Sequence, residues 1–160
     1  MATAVQYLAL AAYHFRTNVS RPGFGHVFIE SANHHRSNCK RLIDYLTMRG
    51  QNVVDVNTLL QLSYTPTQTE WTNVAEALKF ALQLEGVVTD RFRNVIGVCE
   101  DQSFNDYNLN NWLTKEFLYT QYDDMKWYAD TTSSLLKVFV TNGYYGEFQL
   151  DVGFEDEYCD

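Results

Sequence analysis

Along this chain, apolar side chains recur at alternating steps of four and three, the spacing by which one helix packs against another. From Phe24 the series runs Phe24, Phe28, Ser31, His35, Asn38, Leu42 and Tyr45. Its ends are apolar and its centre, inside the stretch SANHHRSNCK, is polar. A second series, Val74, Leu78, Ala81, Glu85, Val88, Phe92, Val95 and Cys99, is apolar except at its central Glu85. A third runs Leu118, Gln121, Met125, Tyr128, Thr132, Leu135 and Phe139, with Gln121 near the same polar level. A buried polar group left unpaired costs about 1–3 kcal/mol. The pattern therefore predicts three long helices whose mid-level polar groups share a hydrogen-bonded network or a metal.

The boundaries follow from the breaks in the pattern. Residues 3–16 form a first helix with Leu8, Ala11 and Phe15 on one stripe. NVSRPGF interrupts it, Ser20 being able to cap and Pro22 suiting a first helical turn. Arg49-Gly50 closes the second helix. A polar connection over 51–69 follows, in which NVVDVNTLLQL has strand-like composition but no partner strand, so it reads as a long crossover. Trp71 opens the third helix, EDQSFNDYN is a turn-rich linker, and a fourth helix spans about 108–140. NGYYG ends it, EFQLDVGF makes a short fifth helix, and EDEYCD is an acidic tail. The expected architecture is one all-α domain over 1–160. It is a four-helix bundle with two short links, a long crossover between the second and third helices, and a short fifth helix.

Charge narrows the partners. At net −8 the chain is a poor match for nucleic acid or an anionic membrane surface, whereas cations are attracted. No apolar run approaches the ~20 residues of a membrane span. MATAVQYLALAAYHF lacks a basic leader and reads as helix rather than signal peptide. The 15% aromatic content points to a large core or an extensive subunit interface. Cys39, Cys99 and Cys159 are odd in number and lack CxxC spacing, so they define neither a disulfide framework nor a zinc site. Cys159 in the acidic tail is a candidate for an intermolecular disulfide in an oxidising compartment. Asn18-Val19-Ser20 fits a glycosylation acceptor, relevant only to a secreted protein. His35 lies one turn from Cys39, but no oxyanion device accompanies that pair. His34 is rotated about 100° from His35, so the two do not chelate one metal from one face.

The stretches LQLEGVVTDRFRNVIGVCED, FNDYNLNNWLTKEFLYTQY, SRPGF, RLIDYLTMRG and GEFQLD resemble the ferritins, most of all the heavy-type subunits of secreted insect ferritins. Together these stretches extend over nearly the whole chain. The resemblance implies self-assembly into a hollow iron-storing cage and a di-iron oxidation site inside the bundle. Carried over position by position, Tyr7 matches the site's tyrosine, Glu85 its third-helix glutamate and Gln121 its glutamine. The E-x-x-H pair falls on His35-Arg36-Ser37-Asn38 and reads H-x-x-N. The first-helix glutamate, with half of the usual first helix, would lie before Met1, outside this sequence. The mineral-nucleating acids fall on His34, Ser37 and Lys40, and the three-fold-channel acids near Asn111 and Thr114, with Asp101 and Asp106 close by in sequence.

Paired iron needs carboxylates to neutralise and bridge it, because hard cations favour oxygen. His35 offers a neutral nitrogen that cannot bridge, and Asn38 is a weak ligand. The expectation is a vestigial site of Glu85, His35, Gln121 and Tyr7 in an iron-storage subunit that supplies shell, alone or co-assembled with other ferritin subunits. A core network, with a Glu85–His35 ion pair, is the plain alternative to a metal at these residues. Two further functions stay open: a residual ferroxidase using the same four residues, and a structural or interaction protein using surface aromatics such as Tyr144, Tyr145 and Tyr158. The family resemblance also implies a secretory location.

Overall fold

The computed structural model describes residues 1–51, 55 and 64–158, the side chain of Tyr158 excepted. The crossover stretch NVVDVNTLLQL, apart from Asp55, and Cys159 lie outside the described residues. Among those residues, all regular structure is helical: α1 Ala2–His14, α2 Pro22–Met48, α3 Val74–Glu100, α4 Tyr107–Leu113, a π-helical turn Thr114–Leu118, and α5 Tyr119–Tyr158, broken at Gly143.

The breaks have backbone causes. Gly50, with φ 78°, and Gly143, with φ 57°, occupy the left-handed region that glycine enters without a Cβ clash. Gly50 follows the C-cap of α2, and Gly143 separates a long helix from the short terminal one. Ser20 does not cap α2: it too is left-handed, φ 50°, and the N-cap is Arg21 with Pro22 at the first helical position. Residues 155–158, the EDEY of EDEYCD, are helical rather than a free tail.

The described chain divides into two compact units, bounded by Met1–Val74 with Val138–Asp160 and by Ala75–Lys137. In the first, α1 packs on α2. Its buried stripe is Ala4, Tyr7, Leu10, Ala11 and His14, whereas Leu8 is 48% and Phe15 43% exposed. The expected stripe was rotated because it followed the largest apolar residues; the buried face also includes two polar residues, His14 and Gln6. Gln6 donates to the Gln68 carbonyl at 2.6 Å and accepts from Thr67 N at 2.8 Å and from the Tyr64 hydroxyl at 3.2 Å. The Tyr13 hydroxyl donates to the Trp71 carbonyl. These bonds fix residues 64–71 along α1.

The terminal helix closes the same unit over the start of α2. Asp151, fully buried, accepts from Phe24 N–H at 2.9 Å and so serves one of the orphan donors of the helix N-terminus. Arg21 pairs with Glu147 at 2.8 Å, and Phe24 meets Phe154 edge-on at 5.2 Å between ring centroids. A Cβ at Gly23 would land on the Asp151 carbonyl oxygen. SRPGF and GEFQLD are therefore two sides of one contact.

In the second unit, the α3 stripe keeps Leu78, Ala81 and Glu85 buried but then drifts: Thr89 is buried and Val95 is 45% exposed. A straight helix of 3.6 residues per turn departs from a strict seven-residue repeat by about 20° per heptad, enough to move the stripe. Toward the C-terminal half, the π turn shifts the register. The buried series becomes Leu113, Phe117, Gln121, in steps of four, and Leu118 is only half-buried. Phe139, in the first unit, is exposed rather than on the seam. Phe117 fills its new place by stacking on Phe92 at 5.2 Å and meeting Trp112 edge-on at 5.0 Å.

Candidate metal centre

Tyr7 and His35 come together in the first unit. Both are buried, and their rings lie nearly parallel, 5.3 Å apart at 14°. Phe28, about two helical turns before His35, extends the stack at 6.3 Å from Tyr7. Asn38 is half-buried, as is Cys39, whose thiol is free. His34 lies edge-on to His35 at 5.9 Å and does not share its direction, as the helix rotation requires.

Glu85 and Gln121 come together in the second unit, and both are buried. The Gln121 amide donates to the Glu85 carboxylate and, at 3.4 Å, to the Glu85 carbonyl. Thr89 completes this arrangement: its hydroxyl lies 2.8 Å from the Glu85 carbonyl and 3.2 Å from the Met125 sulfur. Thr89 escaped the sequence reading, although its place four residues after Glu85 on the same helix was the available signal. The π turn Thr114–Leu118 ends three residues before Gln121, and such turns are frequent at functional sites.

This chemistry differs from that of a bridging carboxylate cluster. Among the described residues, no group of three or more His, Cys, Asp and Glu side chains is placed to hold a metal ion. One oxygen of Glu85 is engaged by an amide N–H, a group that a metal would have to displace or turn over. His35 presents an aromatic face to Tyr7, so its nitrogens lie in a plane parallel to the phenol ring. Of the acids near the expected channel, Asp106 is committed to the N-cap of α4, accepting from Leu109 N at 3.0 Å. Asp101 accepts from the hydroxyl and N–H of Ser103, which hold its carboxyl below the usual range. Asn111 itself is exposed and uncharged.

Known proteins resemble this chain over most of its length. The family model of the ferritin-like domain matches residues 1–137. A ferritin heavy chain of Trichoplusia ni is 42% identical over 149 residues, 92% of this chain and 70% of that one. The chain belongs to the ferritin family. A ferritin heavy chain of Papilio xuthus is 40% identical over 149 residues, again covering 92% of this chain and 70% of the relative. The crystal structure of Trichoplusia ni secreted ferritin superposes with a TM-score of 0.91 at 41% identity, covering 96% of this chain and 80% of that one. The ferritin four-helix bundle, four long helices with a short terminal one, is thus the fold of this chain. No helix among the described residues is long and apolar enough to cross a membrane.

Proposed function

We propose that this chain is an iron-storage subunit of a ferritin cage that contributes shell rather than Fe(II) oxidation. The observation that carries the reading is His35, which stands where the ferritin resemblance puts a carboxylate and is stacked against Tyr7. A neutral imidazole offers one nitrogen and does not bridge two metal ions as a carboxylate does, and the remaining acid, Glu85, is already hydrogen-bonded to Gln121. Residues 1–160 act as one ferritin-like domain. The subunit assembles with itself or with other ferritin subunits, and the secretory pathway is its compartment, a reading supported by its likeness to a ferritin described as secreted. Iron is cargo in this reading, not a resident cofactor.

The test is aerobic Fe(II) oxidation by the purified protein, beside a buffer blank and Glu85→Ala, with particle formation followed by electron microscopy. A rate equal to the blank, with hollow particles formed alone or with heavy-type subunits, is expected. A fast rate abolished by Glu85→Ala would overturn the shell reading in favour of a residual ferroxidase.

A further inference from the structure

We infer that Asn18 carries an N-linked glycan, an inference that rests on the secretory reading above. Asn18-Val19-Ser20 is the chain's only Asn-x-Ser/Thr triplet, and its middle residue is not proline. A triplet by itself occurs often by chance, so what selects this one is its setting. It lies in the turn between α1 and α2, outside both helices. Asn18 and Ser20 are exposed, while Val19 between them is half-buried and anchors the turn.

The turn holds itself without using the acceptor side chain. Val19 N and Ser20 N both donate to the Arg16 carbonyl, at 2.9 and 2.8 Å, and Arg21 N donates to the His14 carbonyl at 3.1 Å. The Arg21 guanidinium donates to the Ser20 carbonyl at 2.9 Å. Every one of these bonds is made by backbone atoms or by Arg21. A bulky, hydrated substituent on the Asn18 carboxamide would therefore break no bond of the turn and bury no polar surface. A carboxamide that caps a helix or ties down a loop would not meet that condition.

The step is a glycosyl transfer from a lipid-pyrophosphate-linked oligosaccharide. The Asn18 Nδ2 forms a bond to the anomeric carbon, the bond from that carbon to the pyrophosphate oxygen breaks, and the lipid pyrophosphate leaves with the electron pair. Nδ2 loses one proton, and no oxidant or reductant is involved.

The full chain is to be exported from insect cells behind an added signal peptide, and its intact mass measured before and after peptide-N-glycosidase treatment. The expected result is an added mass that the enzyme removes, leaving aspartate at position 18. Asn18→Gln abolishes the addition. So does Ser20→Gly, which deletes the hydroxyl yet suits the left-handed backbone at that position. A C-terminal Asn-Gly-Thr extension supplies a second, accessible triplet and reports passage through the glycosylating compartment. Modification of that triplet with Asn18 left bare overturns the Asn18 assignment and leaves the secretory reading intact. An exported chain glycosylated at Asn18, beside native protein that carries no glycan, instead overturns the secretory reading.

Discussion

The imidazole of His35 lies flat against the phenol of Tyr7, 5.3 Å between centroids and 14° between planes. Two aromatic rings in this relation bury their apolar faces against one another. The double substitution His35→Glu with Asn38→His restores the side chains that the ferritin pattern has at these positions. It is expected to raise the rate of aerobic Fe(II) oxidation above that of the parent, read from the ultraviolet absorbance of the ferric product. It should also lower stability by about 1–3 kcal/mol in the absence of iron, since a carboxylate replaces a stacked ring in a buried site.

Asp151 caps α2 from the far end of the chain. Its carboxyl is pushed up from the usual range, first by burial, against the opposing effects of the Phe24 N–H and Arg21. A raised native value means that its contribution is fully present below the unfolded carboxylate range and is lost as pH rises through the native one. Asp151→Asn keeps an oxygen for Phe24 without the buried charge. It is expected to unfold near the wild-type denaturant midpoint at neutral pH, whereas Asp151→Ala loses about 1–2 kcal/mol. Gly23→Ala drives a methyl into the Asp151 backbone and should cost about 3 kcal/mol in the same titration.

Gln6 supplies both a donor and an acceptor to residues 64–68. Gln6→Leu fits the volume but strands the Thr67 N–H and the Gln68 carbonyl. A loss of about 2–4 kcal/mol in thermal or chemical unfolding is expected, with faster proteolysis within 64–71 as a local sign.

His14 is fully buried, and its Nδ1 lies 2.7 Å from the Leu10 carbonyl. A carbonyl only accepts, so the neutral ring carries its proton on Nδ1. Burial, aided by the positive charge of Arg21, lowers its pKa from 6.5 to about 4. The unfolded chain therefore binds the proton more readily. Stability is fully present above pH ~6.5 and falls as pH drops toward ~4, by on the order of 3 kcal/mol across that window. Urea midpoints measured through this range should decline for the wild type and decline less for His14→Phe.

Much of this was legible because burial is periodic. Tyr7, His35, Glu85 and Gln121 are all buried, and Gly50 and Gly143 break the backbone where the sequence places the helix ends. The sequence was misread where one local rule yields to another. The π turn moves the buried position from Leu118 to Phe117, and ordinary helical drift exposes Val95; neither leaves a mark in composition. Gln6, His14 and Asp151 were missed for a different reason. Each is a polar residue whose burial depends on its surroundings in the folded unit, and for Gln6 and Asp151 the hydrogen-bond partners lie far along the chain. Ser20 looked like a cap because its residue type suits one, but its backbone is turned the wrong way.

The contact between Gly23 and Asp151 also sets an order of events during synthesis. The unit it closes is drawn from two stretches, with residues 75–137 made between them. At roughly 5–20 residues per second, the ribosome spends several seconds on that insert. Throughout that interval α2 has been made, but the carboxylate that accepts from Phe24 N–H has not, and the surface beside Gly23 stays uncovered. The second unit can pack before residues 138–158, which close the first, have been made.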